Sequence, residues 1–391
     1  MATTRLAGIP DAGFVLIAVS LGATSWSIFG SQVAFDVAAI LWVIELVRRR
    51  GQFSAPPFFM PLVAYAGLTL VSAVFSPDPR ASLVDSRQLF LFLIVPVVSH
   101  FARGDRANRV LDVIIALGSA GALYGILQYA VLGYDSLSAS PDSHGRPVGF
   151  LSHWMTFSGV LMLVTCASIS RLLYVQKEWV WPAIAVPALV AALVLSLTRN
   201  AWLGTIAAVL VLFAIRNWRL LLVVPVAALI IILASPGAVL TRINSIGDTS
   251  DLANRDRLAM LRMGANMVKD HPLTGVGPEM IERVYAEYRD PMAVNPTNPH
   301  LHNVPMQIAA ERGLPALAAW LWFVVVATRD LWRQLLSGPA KALSAAGLAA
   351  MISMFVAGQF EYNFGDSEFL MLLLGLITLP WAATRPELVD K

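Results

Sequence analysis

Apolar residues in this chain are grouped in long blocks rather than in short alternations. Twelve such blocks run through its 391 residues, at about 12–29, 33–47, 57–75, 89–101, 110–132, 154–170, 179–197, 201–215, 220–234, 314–328, 342–357 and 369–383. One long polar segment, Ser235 to Asn303, interrupts them and ends in Asn298-Pro-His-Leu-His-Asn303. The blocks recur at membrane-spanning length and are too continuous for barrel strands. Hydrocarbon offers backbone N–H and C=O groups no partner, so each block must satisfy its own hydrogen bonds as a helix. The pattern predicts an all-α polytopic membrane protein of about twelve transmembrane helices. It divides into residues 1–234 with nine spans, 235–313 as an outer loop carrying the chemistry, and 314–391 with three spans.

At about 69 residues, the polar segment is too long to lack structure of its own. Met260, Met263 and Met267 recur at helical spacing within a predicted helix over 254–269, which should stop before Pro272. Ile281, Val284, Tyr285 and Tyr288 make one apolar stripe on a second predicted helix over 278–288, with Pro278 in its first turn. Between them, Thr274-Gly-Val-Gly-Pro278 reads as a tight turn or as a loop that cradles phosphate. A third helix should begin at Asn303 as N-cap, run to Arg312 and break at Gly313 and Pro315.

Composition agrees with a membrane class, at 57% hydrophobic and 14% charged residues. Charge then orients it. With the N-terminus inside, the inner ends hold Arg5, Arg48, Arg49, Arg50, Arg103, Arg106, Arg109, Arg171, Lys177, Arg216, Arg219, Arg329, Arg333, Lys341, Arg385 and Lys391. The short outer loops hold only Arg80, Arg87, Arg146 and Arg199. Cationic loops stay cytoplasmic, so both termini are expected inside and the polar segment at the periplasm or cell exterior. The first block is expected to be a retained span, not a cleaved signal. Cys166 is the sole cysteine and lies in a span, which excludes an intramolecular disulfide. The inner loops account for the net charge of +3, and no nucleic-acid partner is implied.

Candidate chemistry gathers in the outer loops. Arg255 and Arg257 fall in the first turn of a predicted helix, where the macrodipole disfavours cations, and Arg262 shares nearly the same face. Either an anionic ligand offsets that cost, or Asp251 and Asp256 pair with them. Arg199 sits in a hinge of a few residues between two spans, where a guanidinium is costly unless it is used or snorkels to the surface. His300 and His302 lack a nearby cysteine or acidic pair to complete a recognised metal-ligand set. His302 precedes a helix N-terminus, whose dipole favours a neutral imidazole able to accept a proton from a hydroxyl.

His302-Asn303, followed after nine residues by Gly313-Leu314-Pro315, resembles the histidine motif of the O-antigen ligase and polymerase superfamily, with Ala316 where a second glycine is usual. Ser76-Pro-Asp-Pro79, Gly149-Phe-Leu-Ser-His-Trp154, Leu197-Thr-Arg-Asn-Ala-Trp202, Asn254-Arg-Asp-Arg257 and Asp270-His-Pro-Leu-Thr-Gly-Val-Gly-Pro278 follow the family order over most of the chain. The resemblance implies a GT-C-like, inverting, metal-independent glycosyltransferase without cofactor, in a bacterial inner membrane with its site facing the periplasm. Its donor would be an undecaprenyl-diphosphate-linked glycan at the bilayer surface, and its acceptor lipid A-core or another glycan. It makes His302 the general base and gives the diphosphate to Arg199 with Arg257 or Arg255, while His300 and Asn303 support the site. Ligation to lipid A-core and polymerisation of repeat units remain alternatives. A transporter or flippase is the rival class, but within the spans the ionisable residues are chiefly Asp36 and Glu45, and no halves repeat.

Overall fold

A computed structural model describes residues 8–48, 53–138, 145–175, 180–248 and 250–387. Arg5, Arg49, Arg50, Lys177 and Lys391, used in the charge count, lie outside the described residues. Among those described, regular structure is helical throughout: α1 (Ile9–Ala23), α2 (Ile28–Arg48), α3 (Phe59–Val74), α4 (Pro79–Asp85), α5 (Ile94–Phe101), α6 (Arg106–Ser138), α7 (Trp154–Tyr174), α8 (Val180–Leu195), α9 (Arg199–Arg216), α10 (Val223–Ala234), α11 (Gly237–Asn244), α12 (Leu252–Asp270), α13 (Ile281–Tyr288), α14 (Val304–Ser337), α15 (Lys341–Ala357) and α16 (Ser367–Ala383). Each of the twelve apolar blocks is helical over most of its described length. Six helical stretches are long and apolar enough to cross a bilayer, and six further apolar helices are shorter. The chain is therefore a polytopic helical membrane protein.

Close packing of small residues builds the bundle, as expected where lipid weakens the hydrophobic drive between helices. The alanine-rich α15 lies against α7, α9, α14 and α16. Gly204 of α9 makes that approach possible, because a Cβ there would come within 2.7 Å of the Ser353 carbonyl oxygen and 2.6 Å of Met162 Sδ. At one end of the bundle Arg106 pairs with Asp11 and Glu387, and Arg171 with Asp112. At the other end Asp78 meets Arg283, Arg199 meets Asp251, and Thr156 meets Asp366. The second end gathers the loops that the charge pattern assigns to the outer side.

The polar segment folds over that end around a core of its own. Met260, Met263 and Met267 of α12 are fully buried with Ile281 and Tyr285 of α13 and Leu301. The first predicted helix thus appears as α12, capped by the Asp251 side chain. The second, α13, starts with its stripe at Ile281, three residues later than the predicted start at Pro278. Gly277 and Glu279 take left-handed φ values of 103° and 61°, so Pro278 stands in a turn ahead of α13.

Candidate active site

The break in α14 organises the site. Gly313 has φ 83°, and a Cβ there would meet the Leu273 carbonyl oxygen at 2.2 Å, so only glycine fits. Leu314 N–H leaves the helix ladder to donate to Pro272, and Pro315 has no N–H. The carbonyls of Ala310 and Glu311 are thereby freed, and they accept the N–H groups of Val276 and Gly277, each at 2.8 Å. Thr274-Gly-Val-Gly-Pro278 is therefore a turn that caps a broken helix, and two of its amides are committed to that task.

Upstream of the break, Asn303 is the N-cap, accepting from Met306 N–H at 2.8 Å. Its amide also donates to the Gln359 carbonyl at 2.9 Å, and Val304 N–H donates to Gly358 at 2.7 Å. These bonds hold the α15–α16 loop against the start of α14. They bring Glu361 to His302, whose Nδ1 lies 3.0 and 3.1 Å from the two carboxylate oxygens. His300 Nε2 is 3.1 Å from the same carboxylate. On the far side of the His302 ring, Asn298 donates its amide to Nε2 at 3.2 Å. This pattern assigns the Nδ1–H tautomer, with the Nε2 lone pair free of a covalent proton. Burial alone raises the Glu361 carboxyl, but the electrostatic attraction of His302 and the hydrogen bonds from both histidines outweigh it and hold Glu361 well below the usual carboxylate range. His302 itself has φ 50°, a strained backbone for a non-glycine residue. His300, His302 and Glu361 also place three ligand atoms within 4.8 Å of one another, a set that could hold a divalent cation.

His302 stands between two cavities. One, of about 630 Å³, is bordered by Arg255, Arg257 and Arg262 together with Leu258, Leu261 and Phe360. We call it the basic cavity. Arg257 Nε donates to the Phe360 carbonyl at 3.0 Å, and Arg255 Nε is buried without a hydrogen-bond partner. Burial pulls the Arg257 guanidinium below its ordinary value, Glu361 opposes this, and the nearby charge of Arg199 adds to it. The other cavity, of about 500 Å³, lies between α7, α14 and the α15–α16 loop, with Asp85, Glu279, Glu311, Glu361 and Asp366 in its wall. We call it the acidic cavity.

The structure brings His300, His302, Asn303, Arg255 and Arg257 together. Arg199 is nearby but engaged, its guanidinium donating to Ser245 at 2.7 Å and lying 3.3 Å from Asp251. It lines neither cavity. Asp251 thus serves Arg199 rather than Arg255 or Arg257. Asp256 accepts from Val294, Asn295 and Asn298. Glu361 escaped the sequence reading because it lies 59 residues beyond His302. Its only local signal is an acid flanked by Phe360 and Tyr362 in the last outer loop.

Fold and site together define a polytopic helical membrane protein with a histidine–carboxylate pair between two cavities, one bordered by arginines and one by carboxyls. Residues 183–321 match the family model described as O-antigen ligase, the family that the motifs resemble. The match takes in Arg199, Arg255, Arg257, His300 and His302 and ends before Glu361. Over that stretch, about a third of the chain, the sequence is similar to the O-antigen ligase family. No curated protein matches the chain.

Proposed function

We propose that the chain transfers a glycan from an undecaprenyl-diphosphate carrier to an acceptor sugar hydroxyl. The observation that carries this is His302, oriented by Glu361 and shared by the basic and acidic cavities. The lipid-linked diphosphate occupies the basic cavity, where Arg257 and Arg255 neutralise charge as it develops on the leaving oxygen and the apolar side chains accept prenyl carbons. Arg199 acts from behind, adding positive potential beside Arg257 and fixing Asp251 at the start of α12. The acceptor hydroxyl approaches from the acidic cavity, displaces the Asn298 amide from His302 Nε2 and gives its proton to that nitrogen. Its oxygen forms the new bond to the anomeric carbon as the carbon–oxygen bond to diphosphate breaks, the electron pair leaving on the phosphate oxygen. In-line attack inverts the anomeric centre. Glu361 stabilises the imidazolium that forms.

This chemistry needs no metal, because guanidinium groups supply the positive charge at the leaving group. Activity should persist in excess chelator, whereas loss of activity restored by one divalent cation would transfer the role to the three-ligand set. The twelve-span arrangement, with both termini cytoplasmic and the site in the periplasm, belongs to the same proposal. Ligation to lipid A-core is the first reading and polymerisation of repeat units the second. Reconstitution with a lipid-linked glycan and two acceptors, lipid A-core and a second lipid-linked repeat, distinguishes them by the one extended. In that assay His302→Ala should lower transfer by on the order of 10²- to 10⁴-fold. An unaffected rate would remove the general base.

A further inference from the structure

The acidic cavity has a chemical character of its own. Asp85, Glu279, Glu311, Glu361 and Asp366 face Arg312 as the single arginine in its wall. Arg312 is already committed, paired with Glu311 and lying 3.7 Å from Asp85. Two further side chains in the wall, each more than nine-tenths buried, keep a polar atom without a partner. Trp154, 9% exposed, has a free indole N–H, and Asn363, 8% exposed, has a free amide oxygen. One ring face of Trp154 carries Arg146, whose guanidinium carbon is 3.6 Å from the ring centroid.

A donor and an acceptor without partners in two residues of one cavity wall, both screened from solvent as they stand, suit an entering group that both donates and accepts, as each sugar hydroxyl does. Carboxylates recognise vicinal hydroxyls in the same way and repel other anions. We propose that the acidic cavity binds the acceptor as an uncharged or amino sugar and rejects one bearing phosphate or carboxylate on the unit that enters. The word acceptor rests on the transfer reading above, whereas the selectivity does not. Asp366 supports it: burial, and then the charge of Glu368, push its carboxyl up to about 8. A cavity that already keeps one carboxyl protonated gives a further anion no compensation.

Saturation-transfer NMR on the full chain in nanodiscs tests this without any turnover. The probes are methyl glucoside, methyl glucosaminide and methyl glucoside 6-phosphate. The first two should bind at least about tenfold more tightly than the phosphorylated one, since like charges brought together without compensation are strongly unfavourable. Glu279→Lys, at the exposed rim, should narrow that gap. Trp154→Phe, which keeps the ring but removes the donor, should weaken the neutral sugar severalfold. Equal or reversed ranking, no binding of any probe, or a ranking unmoved by both variants would overturn the proposal. Failure of reconstituted transfer with this ranking intact would sink the glycosyl-transfer reading alone.

Discussion

At the scale of single residues, the site is a histidine whose two nitrogens have different work. Glu361 takes Nδ1–H, and Nε2 accepts from Asn298, a bond that an incoming hydroxyl would have to replace. Glu361→Gln keeps the shape but removes the charge that orients the ring and balances an imidazolium, so kcat should fall on the order of 10²-fold with donor affinity retained. A fall in donor affinity with kcat unchanged would deny Glu361 that role. Asp366 makes a pH test. Its folded value of about 8 lies above the ordinary 3.8, so burial costs nothing at low pH. The cost grows as the unfolded carboxyl ionises above about pH 4 and levels off above about pH 8. Asp366→Asn should therefore raise the melting temperature more at pH 8 than at pH 4, and an equal change at both would contradict the shift. His302 was legible because its dipeptide and the glycine ten residues further on share one short segment. Glu361 was not, since only the folded loop between α15 and α16 gives it meaning.

Among elements, the decisive one is α14, two helices joined at Gly313. The sequence reading anticipated its N-cap at Asn303 and its break at Gly313, because cap and breaker residues act within a turn or two of themselves. The use of the break was hidden. Carbonyls that lose their ladder partners accept instead from the 274–278 turn, and this ties the outer segment to the bundle. Gly313→Ala forces an L side chain into positive φ against the Leu273 carbonyl and should destabilise by roughly 2 kcal/mol or more. A melting temperature within 1 °C or so of the parent would refute this account. The shortened start of α13 has a local cause too: Gly277 and Glu279, on either side of Pro278, take positive φ values that a helical stripe does not announce.

For the whole molecule, the arrangement is a division of charge. Guanidinium groups and apolar side chains form the cavity on one side of His302, and carboxyls form the other. Donor affinity for a prenyl diphosphate in vesicles should fall about tenfold or more in Arg257→Gln, and its dependence on ionic strength should weaken. Arg333→Gln, exposed on α14, should change neither. Equal losses in the two variants would rule out the basic cavity as the diphosphate site. Helical class, the twelve apolar blocks, the helix α12 and the candidacy of His302 came from sequence alone, because hydropathy, helix caps and glycine conformations act over a few residues. Only tertiary structure decided that Arg199 is held by Ser245 and Asp251, that Glu361 faces His302, and that acids scattered from Asp85 to Asp366 share one cavity. Those pairings join residues far apart in the chain, and burial and distance, which set their energies, exist only once the bundle has closed.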